Sequence, residues 1–569
     1  MADSHLAIGE LKNSQYTTEQ SSTLLFFGGM LLVLFLTALE LIASLGLILG
    51  LPIGPLHLPI AILVTWIIGY LSSANLGINK LAALSSLVTV LVIIALSVAA
   101  AASFYDRSFD GQAYHQEAIL QLAAGWNPYY DTLAETAHER LWLTHYPKGP
   151  WYLANAFYAI TGSIESGKAT NLILIIASGC FLASLLLAIR MVPAWLSISI
   201  TVLAALNPVS VYQALTFYVD GQLSSIFVSL IAVLIMAAAQ PNRYVLVCAA
   251  ALMMLLINIK FTGLAYAGLI AISFGVASLY LHKWRDTFRY SSIIALGVFV
   301  GVLAIGFAPY VSNTIDKGNI FHPLRGENAI DVISHAKPEP LKSMNRVQAT
   351  AVSIFSESSN SKTEYKLRAP FHIPKGRELR EASAAEPRLG GFGPWFSGAF
   401  IGGLILILAG QFTRKDLLIK GVIGYLLVCL TATIFINPEA WWARYVPQLY
   451  LIPLAACLAS YTSESRILRT VALGTLITLF ANLSMIGYFS VKSDARLTKA
   501  INKQLAQLKK SDEHVVAYFS IAPSLRARLN RAGISYSSVT EERDLPCDDP
   551  NELASGHGAK FCSVKADSQ

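Results

Sequence analysis

The chain has 569 residues, of which 54% are hydrophobic and only 14% charged, and its mean hydropathy is +0.53. A soluble enzyme of this length carries nearer a quarter charged residues. The net charge of +7, scattered in short clusters, does not make a nucleic-acid surface. The apolar residues instead fall in runs of about 20, the length a helix needs to cross about 30 Å of hydrocarbon. The composition therefore predicts an all-α polytopic membrane protein.

Residues 1–23 read as a cytoplasmic segment. The run that begins near Leu24 is too long for a cleavable signal and lacks a small-residue cleavage site. Three spans are expected over 24–103, near 24–49, 57–77 and 83–103, followed by a first outer loop with interfacial helices over 104–168. Six spans are expected over 169–311, near 169–189, 195–216, 221–239, 244–262, 264–281 and 291–311. A large outer loop covers 312–394, and four spans over 395–490 lie near 395–413, 417–437, 446–461 and 468–490. The total is about 13 transmembrane helices. Trp151–Gly162 is apolar but too short to cross, and is expected to lie at the membrane interface. Polar composition in "AKPEPLKS" and "SESSNSKTEYK" predicts a mobile middle for loop 312–394.

Charge sets the expected orientation. With the N-terminus inside, the inner loops hold Lys80, Arg190, Arg243, Lys283, Arg285, Arg289, Arg414, Lys415, Lys420, Arg466 and Arg469, as the positive-inside rule asks. The first outer loop is acidic, with Asp106, Asp110, Glu117, Asp131, Glu135 and Glu139. The C-terminal appendage, 491–569, also faces outward and reads as a small α/β unit. In it "HVVAYF" and "ISYSSV" are strands flanking the helix "SLRARLNRAG", with Gly533 as its C-cap. Cys180, Cys248, Cys429 and Cys457 lie in spans as packing residues, whereas Cys547 and Cys562 share the appendage and can pair there.

The candidate site residues all fall at outer boundaries. The tripeptide Asp-Gly-Gln occurs at Asp110 in "YDRSFDGQAYHQEAIL" and again at Asp220 in "FYVDGQLSS". Each Asp suits a helix N-cap. Asp106, one turn before Asp110, is placed to crowd it and raise one of the two pKa values. Tyr114 shares a helix face with Ala118, while His115 turns partly away. In "LTHYPKGPWYLANAF", His145, Tyr146 and Lys148 precede the interfacial helix, and Trp142, Tyr146 and Trp151 also suit an aromatic belt. Lys260 interrupts an apolar run, where an ionisable residue is expensive and defaults to function. Arg444 in "NPEAWWARYVPQ" stands outside, where positive charge is disfavoured, beside Glu439, Trp442 and Tyr445. Arg suits bidentate phosphate recognition. Carboxylates and phosphate-capable cations on one face are what sugar transfer from a lipid-phosphate donor requires: Asp110 as base, Asp220 as a second acidic contact, and Lys260 and Arg444 at the departing phosphate. Asp106, Tyr114, His115, His145, Tyr146, Lys148, Glu439, Trp442 and Tyr445 would line the cleft.

The order of an acidic first outer loop, "YPKGPWYL" before an interfacial helix, an outward Asp220 opening a span, and "PYVSNTIDKGNIFHPL" after a late span resembles the GT-C superfamily. These are polytopic glycosyltransferases fed by polyprenyl-phosphate-linked sugars; protein mannosyltransferases and the lipid A aminoarabinose transferase share the layout. The resemblance covers about residues 80–460. It implies that Asp110 is the base or acceptor-binding group, and that Lys260 and Arg444 lie near the donor phosphate. Its partners would be membrane lipid, the lipid-linked donor, and a glycan, lipid or protein acceptor, with no nucleic acid. The implied location is a bacterial inner membrane with the active face and C-terminus on the periplasmic side. Many members carry Tyr-Pro-Pro-Leu where this chain has Tyr146-Pro147-Lys148-Gly149, and two extra spans precede the catalytic loop. No cofactor or dedicated metal site is expected, although two carboxylates and a diphosphate are able to share Mg²⁺ or Mn²⁺. The alternatives are a polysaccharide polymerase or ligase of another membrane fold, marked by essential residues in loop 312–394, and a transporter, marked by midplane charges and repeated halves.

Overall fold

The computed structural model describes residues 2–135, 137–327, 329–331, 336–413, 417–511 and 513–564. Arg414 and Lys415, assigned above to an inner loop, lie outside the described residues. Among the described residues, eight helices are long and apolar enough to cross a membrane. They are Glu19–Ile48, His57–Leu76, Lys80–Ala102, Ile164–Ile189, Asp220–Ala239, Phe261–Leu281, Trp284–Ile305 and Arg466–Ser511. Four further apolar helices are shorter: Ala194–Ala205, Arg243–Ile259, Phe396–Gly410 and Gly421–Phe435.

Among the described residues these twelve apolar helices do not confirm the expected 13 continuous spans, and proline explains two breaks in the expected runs. The run 195–216 ends its helix at Ala205, because Pro208 disfavours helical geometry at Asn207. Asn207 instead starts the short helix Pro208–Gln213, its side chain accepting from Ser210 N at 3.1 Å. The run 446–461 is helical in the α sense only over Leu451–Tyr461, since Pro447 opens a tight turn before it. Trp284–Val300 continues through wider π-helical turns, Gly301–Ile305 and Phe307–Val311.

Among the described residues four apolar cores form, two of them large. One gathers Phe27, Phe35, Phe157, Phe181 and Phe227 from the N-terminal two-thirds. The other joins Leu196 and Ile200 to Phe396, Tyr450 and Leu479 from the C-terminal helices. Helix Gly149–Thr161, expected at a membrane surface, has residues 149–157 fully covered by protein. Gly149 permits this closeness: a Cβ there would lie 2.0 Å from Glu40 Oε1 and 3.0 Å from Asn258 O.

Loop 312–394 is folded where a mobile middle was expected. It contains helices Arg346–Ile354 and Arg377–Ala382, bridges pairing Ser356 with Leu367 and Ser359 with Leu389, and a buried Arg368–Glu378 ion pair at 2.7 Å. A buried charge pair needs this fixed frame, and polar composition hides it. Helix Arg466–Ser511 runs unbroken out of the apolar zone and carries the C-terminal appendage. The predicted strands form as His514–Tyr518 and Tyr536–Val539, parallel with Val515 opposite Tyr536, and Gly533 caps helix Arg526–Ala532 at φ +68°. Two strands not foreseen, Asn551–Glu552 and Lys560–Val564, complete a four-stranded sheet, and Cys547 and Cys562 are disulfide-bonded. Cys248 and Cys457 are buried free thiols, and Cys180 and Cys429 are half-buried.

Candidate functional site

Both Asp-Gly-Gln copies converge on one guanidinium. Arg444 Nη2 lies 2.9 Å from Asp110 Oδ2, its Nε lies 3.1 Å from Asp220 Oδ2, and its Nη1 lies 2.5 Å from Glu386 Oε2. Lys260 Nζ is 2.5 Å from Asp220 Oδ1. Lys260 has extended backbone (φ −164°, ψ 162°) at the corner between helices Arg243–Ile259 and Phe261–Leu281, which delivers its ammonium to the end of the bundle rather than into it.

Neither Asp caps its helix. Asp110 already has helical backbone (φ −60°, ψ −33°) and makes no side-chain cap bond. Asp220 sits inside the first turn of Asp220–Ala239, likewise without a cap bond. The tripeptide instead divides its labour. The Asp faces Arg444, the Gly allows close approach, and the Gln makes a structural hydrogen bond. A Cβ on Gly111 would fall 2.1 Å from Asp106 Oδ2, and one on Gly221 would fall 3.3 Å from Ser210 Cα. Gln112 Nε2 donates to Asp106 O at 2.8 Å, and Gln222 Nε2 donates to Asn171 Oδ1 at 2.7 Å. A π-helical turn, Gly111–His115, follows Asp110 directly, a distortion often found at functional sites.

Exposure separates the carboxylates. The side chains of Asp110 and Glu386 are 22% and 24% exposed, against 1% for Asp220. Asp110 and Glu386 thus form the accessible rim, while Asp220 is the deep counter-ion of Lys260 and Arg444. Burial raises the Glu386 carboxyl above its ordinary range, Arg444 opposes that rise, and Asp110 adds to it. Aromatic faces enclose the cations. Arg444 stands 4.4 Å from the Tyr218 ring, 4.8 Å from Trp442 and 5.2 Å from Tyr445, and Lys260 stands 4.3 Å from Tyr445. Tyr146 joins this wall through edge contacts with Tyr114 and Phe261. Burial first, and then the Asp220 and Asp110 charges, raise its phenol above the ordinary value.

Five residues expected at the cleft serve elsewhere. Asp106 does not crowd Asp110: it is buried and accepts from Ser108 Oγ at 2.8 Å, Gln116 Nε2 at 3.1 Å and Phe217 N at 3.3 Å, tying two loops together. Burial pushes it up to about 6, against the opposing pull of Lys168. His115 is buried, lowered to about 3 by desolvation, and accepts from Trp151 Nε1 at Nδ1, 2.7 Å away. His145 pairs with Asn313 Oδ1 at 2.6 Å and packs on His322. Lys148 is buried and donates to the Thr144 and Tyr146 carbonyls at 2.8 and 2.9 Å. Glu439 takes the Trp441 indole N–H. Short-range spacing singled out all five, but each one's polar atoms are engaged by backbone or side-chain partners away from Arg444.

Sequence reasoning missed Glu386, Tyr218 and Gln213. Gln213 Nε2 donates to Asp220 Oδ2 at 3.2 Å, and its Oε1 accepts from Gly221 N at 2.8 Å. Tyr218, two residues before Asp220, had a signal in its position, whereas Glu386 in "ASAAEPRLGG" had none. For a cation, Asp220 is already taken by Lys260, Arg444 and Gln213, which leaves Asp110 and Glu386 as donors, each holding one Arg444 nitrogen. A separate trio, Glu357, His372 and Glu378, has ligand atoms within 4.8 Å, but Arg368 already holds Glu378. No protein-family model, curated protein or solved structure matches the chain.

Proposed function

We propose that the protein is a membrane glycosyltransferase that moves a sugar from a polyprenyl-phosphate or diphosphate donor to an acceptor at the outer face of the membrane, with inversion. The observation that supports this reading is the convergence of Asp110, Asp220, Glu386, Lys260 and Arg444 within ion-pair distance at one end of an apolar helical bundle. Such a cluster supplies each part the reaction needs. Asp110, on the accessible rim, removes the proton from the acceptor hydroxyl. Arg444 and Lys260, desolvated beside aromatic rings, stabilise the charge that grows on the departing phosphate. Asp220 keeps both cations in place, and Tyr114, Tyr146 and Tyr445, which are only partly buried, offer ring surface for the sugar or the lipid. The bilayer retains the lipid, so only the donor head has to reach the cluster.

A second reading has one observation in its favour. Glu386, from loop 312–394, reaches Arg444 as closely as Asp110 does. In a polymerase or ligase of another membrane fold, Glu386 would be the base. The test is a transfer assay in proteoliposomes, with polyprenyl-phosphate sugars in one arm and nucleotide sugars in the other, run on wild type, Asp110→Asn and Glu386→Gln. The first reading expects lipid-linked donors alone to be used and Asp110→Asn to be the more damaging change. Greater damage from Glu386→Gln selects the second, and use of nucleotide sugars rejects both.

A further inference from the structure

The appendage is fastened to the loop that carries Asp110. Arg526 grips Glu117 with two nitrogens at 2.5 and 2.8 Å, Ser524 Oγ donates to Gln112 O at 2.8 Å, and Arg107 meets Asp494 at 2.7 Å. Between the appendage helix and the outer loop lies a cavity of about 200 Å³. A buried water's share of volume is about 30 Å³, so the space admits a group much larger than one water. Its walls include Arg526, Arg528, Arg531, Tyr105, Tyr158 and Glu165.

The charges of this cavity are unevenly answered. Glu117 neutralises Arg526, and Lys168 engages Glu165 Oε2 at 2.7 Å. Among the described residues, Arg528 and Arg531 have no carboxylate at ion-pair distance. Arg528 is 6% exposed, lies 5.1 Å from the Tyr105 ring, and donates from Nη2 to Asp106 O at 2.9 Å and from Nη1 to Ala554 O at 3.4 Å, while its Nε–H is buried without a hydrogen-bond partner. Arg531 stands exposed at the mouth, with one nitrogen on Ser163 Oγ at 2.5 Å. Glu165 Oε1 is also buried without a donor. Two guanidinium groups without a carboxylate partner, beside a carboxylate oxygen without a donor, favour a ligand that carries both an anionic group and hydroxyls. An oxyanion suits the exposed Arg531 guanidinium and the remaining Arg528 Nε–H, hydroxyls suit the free carboxylate oxygen, and aromatic rings suit a sugar face.

We propose that this cavity binds a phosphorylated sugar or polyol, held by Arg528 and Arg531 at the phosphate and by Glu165 at a hydroxyl. The site is separate from the Arg444 cluster. Leu120, in its wall, lies ten residues along the helical segment from Asp110, about 15 Å at 1.5 Å per residue. The proposal does not depend on the reaction assigned to Asp110.

The test is binding by the full chain in nanodiscs, followed by calorimetry and thermal unfolding. The probes are glucose 6-phosphate, glucose and inorganic phosphate at matched ionic strength. In a parallel arm, phosphatidylinositol vesicles are set against phosphatidylcholine vesicles, to separate a soluble ligand from a lipid headgroup. Saturable binding of glucose 6-phosphate or of phosphatidylinositol is expected, each tighter than its control. Arg531→Gln, at an exposed position, should weaken it about tenfold, and Arg444→Gln should leave it unchanged. Lack of selective binding to either probe overturns the proposal. So does binding that survives Arg531→Gln and Arg528→Gln in folded protein, or binding lost in folded Arg444→Gln protein while both of those variants keep it.

Discussion

Replacing Asp110 by Asn separates chemistry from architecture at the Arg444 cluster. The Asp110 side chain is 22% exposed and holds one guanidinium nitrogen at 2.9 Å. In the variant, Glu386 and Asp220 still hold the other two nitrogens. A partly exposed pair of this kind contributes about 0–1 kcal/mol, and Asn keeps an oxygen acceptor, so stability should fall by no more than about 1 kcal/mol. Removal of a general base costs about 10²–10⁴ in rate, or about 2.7–5.5 kcal/mol of barrier. The contrast is Asp220→Asn. That residue is 1% exposed and holds Lys260 at 2.5 Å as well as Arg444 at 3.1 Å. Among the described residues Lys260 has no second carboxylate at ion-pair distance, so its ammonium would be left buried and unanswered, a loss of about 3–5 kcal/mol in stability. Single-turnover transfer from a labelled lipid-linked donor and thermal unfolding, measured on the same reconstituted samples, read the two effects apart. The reasoning is refuted if Asp110→Asn stays folded and transfers within about threefold of wild type, or if it loses as much stability as Asp220→Asn.

Other expectations follow from neighbouring parts. If the proposed reading holds, Arg444→Gln should raise the KM for the lipid-linked donor and lower kcat, because on that reading the guanidinium meets the phosphate before and during transfer; an unchanged donor KM would remove Arg444 from the phosphate site. Burial lowers the Lys148 ammonium from 10.5 to about 7. Between those values the unfolded chain binds more protons, so this group makes stability rise with pH across that window and fall as pH drops through 7. Unfolding followed from pH 7 to 10 should show that rise in wild type, and Lys148→Met should flatten it; equal slopes would contradict the assignment. Cys547 and Cys562 are 15 residues apart, so their bond should stabilise the appendage by about 3 kcal/mol. Reduction, or Cys547→Ser, should speed proteolysis of the appendage while the apolar helices remain intact; no change in cleavage would deny that contribution.

The legible part of the fold was what length and hydropathy dictate: the apolar runs, the appendage strands and the Gly533 cap. Continuity was less legible, because Pro208 and Pro447 break helices that mean hydropathy draws as unbroken. At the site, Asp110, Asp220, Lys260 and Arg444 stood out because charges at apolar boundaries are costly, and that cost does not depend on distance along the chain. Their role as one network was not readable. Asp110 and Arg444 are 334 residues apart, and the local capping explanation for each Asp was equally available. Glu386 was invisible for the opposite reason: in a polar loop a single carboxylate carries no cost that would betray it. His115, His145 and Lys148 looked functional from their neighbours, but each spends its polar atoms on a nearby partner.

The most direct test of the central claim is the fate of the donor lipid. Purified wild-type protein in proteoliposomes, given a panel of labelled polyprenyl-phosphate and diphosphate sugars with an acceptor extract and no nucleotide sugar, is followed by mass spectrometry and by the anomeric signal of the product. The account predicts that one donor releases its polyprenyl phosphate in step with sugar transferred, with the anomeric configuration inverted. Retention of configuration, or folded protein that releases no lipid phosphate from any donor in the panel, would contradict it.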